Sequence, residues 1–138
     1  MYLIDTHVWL ERLFDAEHAE DVGKIFNHFS SDKFFATAFS LNGISMILKR
    51  NQHDDVLARF ILDVFVDGGS TLIHLEPEDI KRILRTMDQY GLDYHDAHQY
   101  VAAEKYHLTI VSYNDVFDRT PLGRKTPAQI MVLNYGLT

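Results

Sequence analysis

Four short apolar or β-branched runs punctuate the chain: "YLI" after Met1, then "KFFATA", "STLIHL" and "LTIVS". Each has the length and bounding polar residues of a strand. Longer segments of helical period lie between them. In "AEDVGKIFNHF", Val22, Ile25, Phe26 and Phe29 recur every three or four residues and share one face. "DDVLARFILDVFV" carries a broad apolar stripe that predicts a single helix over 54–66. "PEDIKRILRTMDQYG" has a first-turn proline, two acids at its positive end and a glycine just past its last turn. "LDYHDAHQYVAAEKYH" predicts a helix capped by Asp93, with Ala97, Tyr100 and Val101 inward. Strands alternating with helices predict a parallel sheet covered by helices. No repeat, low-complexity tract or linker interrupts the pattern, so 1–138 is expected to be one domain.

Composition narrows the classes. Hydrophobic residues make up 46% and charged residues 24%, near globular averages, and no apolar run approaches the ~20 residues of a membrane span. There is no cysteine and no visible secretory signal, so a cytoplasmic location is expected. A formal charge of −7 argues against a general electrostatic grip on nucleic acid. It leaves a metal-assisted site open, and local basic groups exist at Lys49-Arg50, at Lys81-Arg82 with Arg85, and at Arg119 with Arg124-Lys125.

The informative acids sit at element ends. Asp5 closes the first strand and precedes "THVWLERLF", a position that suits either a helix cap or a functional group at the sheet's ligand-binding edge. Asp96 lies in the first turn of the late helix, where a capping role is the alternative. Right-handed crossovers would bring that turn to the edge that holds Asp5 and the Asn114-Asp115 pair. Clustered carboxylates repel, and a divalent cation relieves the repulsion; a sparse oxygen set suits magnesium better than calcium.

The order of "YLIDTHVWLERL", "ATAFSLNGISMIL", "LDYHDAHQYVAA", "TIVSYNDVFDR" and "TPAQI" resembles the PIN domain family, most of all VapC-type toxins, over nearly the whole chain. The resemblance implies a three-layer α/β/α fold with a central parallel sheet of about four to five strands. It implies catalytic roles for Asp5, Asp96 and Asn114, with Asp5 and Asp96 as ligands of Mg2+ or Mn2+. Phe117 matches the aromatic that follows the fourth position. Thr6, Ser112, Arg119 and Arg124 become candidate substrate contacts. The implied activity is endoribonucleolytic hydrolysis by the toxin of a toxin–antitoxin pair, with RNA as substrate, an antitoxin as partner, a homodimer as assembly and no membrane.

One position departs from that pattern. The family's glutamate on the helix after strand two aligns with Gly43, with Asn42 beside it. Two acids then remain where a full set has four, so metal affinity is expected to fall. A single ion held by Asp5, Asp96, the carbonyl of Asn114 and water still satisfies magnesium. Glycine costs about 1 kcal/mol against alanine inside a helix, which suggests a bulky neighbour or a water in its place. Asp93, Asp115 and Asp118 are the nearest acids that could refill the gap, against ordinary roles as a cap and as surface turns. His7, His95 and His98 flank the matched acids, though a hydrogen-bonded or exposed histidine is the usual case. The competing function is a PIN-fold module that binds RNA or protein without cutting. A phosphoaspartate site fits poorly, because "DTHVW" lacks the second acid of the D-x-D-x-T pattern.

Overall fold

The computed structural model describes residues 1–135. Its four strands are β1 (Tyr2–Ile4), β2 (Phe34–Thr37), β3 (Thr71–Ile73) and β4 (Thr109–Val111), paired in the order β3-β2-β1-β4. All pairs are parallel, with Leu3 opposite Phe35 on one side and opposite Ile110 on the other. The alternation of strand side chains splits the core in two. Ile4 faces the layer built from α1 (Thr6–Leu13), α2 (Ala19–His28), α3 (Ala38–Arg50), α4 (Asp54–Ile61) and α7 (Pro127–Tyr135). Leu3 faces α5 (Ile80–Tyr90) and α6 (Tyr94–Tyr106). The result is the expected three-layer α/β/α arrangement around a four-stranded parallel sheet.

The expected strands all form. The stretch 54–66 departs from expectation: α4 stops at Ile61, and Leu62–Val66 widens into one π-type turn closed by the Asp67 N–H on the Leu62 carbonyl at 2.7 Å. Gly68 lies directly on that turn, where a Cβ would come within 2.4 Å of the Asp63 carbonyl oxygen, so a side chain is sterically barred there. The proline-led segment also divides, into a 3₁₀ turn over Pro77–Asp79 and then α5, which ends on left-handed Gly91 at φ 66° as the sequence implies.

Topology selects the functional edge. From β1 the chain builds outward through β2 and β3, then crosses back to place β4 on β1's other side. The crevice between β1 and β4 at their C-terminal ends is therefore the switch point where open α/β sheets bind ligands. Asp5 follows β1 and donates its N–H to the Val111 carbonyl of β4 at 3.0 Å, while Ser112 follows β4. The N-termini of α1, α3 and α6 open at the same edge.

Candidate metal centre

Asp5 is both cap and site residue. In extended backbone at φ −69° and ψ 155°, it accepts from the Thr6 N–H at 2.9 Å and so starts α1. The same Oδ1 accepts from Gln99 Nε2 at 3.1 Å, and Oδ2 accepts from Ser112 Oγ at 2.8 Å. Oδ1 is saturated by two donors, whereas Oδ2 keeps a lone pair. Gln99 is fully buried on α6 and also accepts from Thr37 Oγ1 at 2.8 Å, which orients its amide toward the acid. Thr37 closes β2 and caps α3 by accepting from the Ser40 N–H.

Asp96 is placed by its own cap, since Asp93 Oδ1 accepts the Asp96 N–H at 2.8 Å. That leaves the Asp96 carboxylate free of capping duty. Its Oδ2 accepts from Asn114 Nδ2 at 3.1 Å. Asn114 does not offer its carbonyl to this site as the sequence suggested: Oδ1 accepts the Val116 N–H at 3.1 Å and caps the 3₁₀ turn Asp115–Arg119. The amide instead donates to Asp96, a positioning contact.

Two hydrogen-bonded routes join the acids. In the first, Ser112 Oγ donates to Asp5 and accepts the Asn114 N–H at 2.9 Å, and Asn114 donates to Asp96. In the second, the Thr6 hydroxyl bonds Ser40 Oγ at 2.6 Å and His95 Nε2 at 2.9 Å, and His95 Nδ1 lies 3.5 Å from Asp96 Oδ1. The Asp96 contact raises the His95 pKa above its usual value against the opposing effect of burial, with further help from Asp5 and Asp93. Ligand atoms of Asp93, His95 and Asp96 lie within 4.8 Å of one another.

Electrostatics supplies the test of fit. Asp5 and Asp96 are 2% and 8% exposed, and among the described residues no lysine or arginine bridges either one. Hydrogen bonds and the His95–Asp96 contact offset part of the cost of burying these two carboxylates, and a divalent cation would offset more. Both His95 nitrogens are engaged, with Thr6 and with Asp96, so the atoms left for a metal are one Asp5 oxygen and Asp96, a sparse oxygen set that suits a divalent ion keeping several waters.

Gly43 sits one turn beyond Ser40 on α3. A Cβ built there would meet nothing within 4 Å, so no bulky neighbour occupies the place of the aligned glutamate. Asp93 serves as a cap, Asp115 is exposed, and Asp118 binds Arg124 at 3.2 Å. Arg124 also donates Nη1 to the Ser112 carbonyl at 3.2 Å, which puts its guanidinium at the end of β4. Arg119 donates instead to the Gly91 carbonyl, at the turn between α5 and α6. His7 is exposed, and buried His98 has its pKa lowered by burial and by His95. Sequence reasoning missed Gln99, Thr37 and Ser40; the one available signal was a glutamine three residues after Asp96, on the same helical face.

Comparison with known proteins agrees with this architecture. No curated protein matches significantly by sequence. A toxin–antitoxin complex from Klebsiella pneumoniae is 16% identical at TM-score 0.73, covering 92% of this chain and 98% of that one. VapC20 of Mycobacterium tuberculosis, a sarcin–ricin loop cleaving toxin, is 10% identical at TM-score 0.69, covering 83% and 90%. FitAcB from Neisseria gonorrhoeae is 16% identical at TM-score 0.72, covering 93% and 99%. At these identities the likeness is one of fold. Residues 2–122 match the PIN domain family itself, and the chain therefore belongs to the PIN domain family.

Proposed function

We propose that the protein is a metal-dependent endoribonuclease of VapC-like type, the toxin of a toxin–antitoxin pair. The observation that carries this reading is the pair of buried, hydrogen-bonded carboxylates at the switch point, which no lysine or arginine bridges among the described residues. Membership of the PIN family and the toxin neighbours support it. One single-domain chain, 1–138, would act in the cytoplasm as a homodimer, with an antitoxin as partner.

Asp5 Oδ2 and Asp96 would hold Mg2+ or Mn2+. When bound, such an ion lowers the pKa of an attacking water and stabilises charge on the phosphate. Ser112 and Gln99 fix the Asp5 carboxylate in one orientation, and Asn114 does the same for Asp96. Thr6 and Ser112 are already engaged in these contacts, so their part is to hold the acids, while Arg124 stands nearest to meet a phosphate. Arg119 is proposed as a more distant contact.

Gly43 favours a second reading, a PIN-fold module that binds RNA or a protein without cleavage, because the position that the resemblance gives to a glutamate carries no side chain, and a Cβ built there meets nothing within 4 Å. The experiment is RNA cleavage by the purified, partner-free chain with Mg2+ or Mn2+, with chelator, and as Asp5→Asn. Cleavage that needs metal and Asp5 supports the nuclease. Inert wild type alongside an active Gly43→Glu variant supports the module.

A further inference from the structure

An aromatic cluster borders the acids. Phe39, the second residue of α3, is 41% exposed, and Tyr94, the first residue of α6, is 36% exposed. Their ring centroids lie 5.8 Å apart. Behind them, His98 stacks on Phe39 at 4.8 Å and 24° and lies 6.3 Å from Tyr94. His98 is only 8% exposed, and its Nδ1 has no partner among the described residues. The imidazole thus stacks on one face of Phe39, which stays 41% exposed beside Tyr94 and His95.

The cluster belongs to the same sheet edge as the acids. Phe39 adjoins Ser40, whose hydroxyl bonds Thr6, and Tyr94 lies two residues before Asp96. His95 spans the gap, with its ring 5.6 Å from Phe39 and its Nδ1 3.5 Å from Asp96. A polymer whose phosphate reaches Asp96 therefore brings its neighbouring unit over Phe39 and Tyr94. Charge points the same way. No lysine or arginine bridges Asp5, Asp93 or Asp96 among the described residues, and the chain carries −7. Arg124, the cation placed to meet a phosphate here, is already paired with Asp118, so phosphate neutralisation is a limited source of affinity at this edge, whereas stacking on an exposed ring needs no charge and accepts every base.

We propose that Phe39 and Tyr94 form a stacking platform for an unpaired nucleobase of single-stranded RNA, one side chain away from Asp96. The platform rests on the ribonuclease reading and adds to it a binding subsite. It selects unpaired RNA, because a base within a duplex cannot lay its face on a protein ring.

The test is fluorescence anisotropy of the full chain with a short single-stranded RNA and Ca2+ in place of Mg2+ or Mn2+, so that a cation remains at the acids while cleavage is suppressed. A matching RNA lacking its bases serves as the second probe. Phe39→Ala is expected to weaken binding of the RNA about 5- to 100-fold, with Tyr94→Ala at the lower end and Phe39→Trp near wild type. Binding of the base-free strand should be nearly unchanged, as should the sedimentation of the variants. Unaltered RNA affinity in Phe39→Ala overturns the platform, and so does an equal loss on the base-free strand. A loss that accompanies a change in oligomeric state also overturns it and assigns the rings to a protein interface. Wild type that cuts RNA while Phe39→Ala binds normally removes the platform alone. Wild type that neither binds nor cuts RNA removes the ribonuclease reading with it.

Discussion

The two walls of the acid pocket are built differently. On the β1–β4 side, Asp5 is held by three donors from three elements, Thr6 on α1, Gln99 on α6 and Ser112 after β4. On the α3 side, Ser40 and Thr37 tie the helix start to the same network, but one turn further Gly43 presents no side chain. The Asp5 carboxylate is thus fixed, while the α3 position that the family resemblance gives to a second acid carries no side chain. The contrast shows that orientation of the remaining acids and the number of acids are separable properties. Loss of one ligand is therefore expected to lower affinity without loosening the geometry of the others.

Removing an acid from the built wall should have the largest effect. Disturbing the outer partners of a metal ligand typically costs about 10- to 100-fold, so Asp5→Asn or Asp96→Asn is expected to lower cleavage by at least about 100-fold, read from single-turnover rates. Next comes the buried support. Gln99→Leu strands the Thr37 hydroxyl and removes one donor from Asp5. It is expected to cost about 1–3 kcal/mol in chemical denaturation and to weaken metal binding. On the open wall the sign reverses. Gly43→Ala should raise stability by about 0.5–1 kcal/mol and leave metal affinity unchanged. Gly43→Glu should increase metal affinity by roughly tenfold, the equivalent of about 1.4 kcal/mol.

The smallest effect lies away from the pocket, at Asp79. Lys105 Nζ at 2.7 Å and the Glu76 N–H at 2.8 Å hold its carboxyl below the usual 3.8. Because the folded value is depressed, the resulting stability is present above pH 3.8 and fades as pH falls through the folded value. Thermal midpoints of wild type and Asp79→Asn should therefore differ at neutral pH and converge as the solution becomes more acidic than that.

Much of this was legible in the chain because it depends on local pattern. The four strands, the caps at Asp5 and Asp93 and the left-handed Gly91 each follow from a few adjacent residues. Asp5 could be assigned to a ligand edge because strand order and crossover hand place it there. Gln99 could not, since its two bonds reach residues 62 and 94 positions away and its surroundings read as a plain apolar helix face. The orientation of the Asn114 amide is not legible in the sequence for a related reason. Which end of an amide faces a carboxylate depends on the Val116 N–H competing for its oxygen, a contact set by the turn and not by residue type. The π-type turn at Leu62–Val66 escaped because an apolar stripe does not distinguish a widened turn from a continuing helix.

Calorimetric titration of Mn2+ into the partner-free chain tests most directly whether two acids suffice. One saturable site in wild type, lost in both Asp5→Asn and Asp96→Asn and tightened in Gly43→Glu, is the expected result. No binding by wild type, with a site appearing only in Gly43→Glu, would contradict it and leave a PIN fold without a working metal centre.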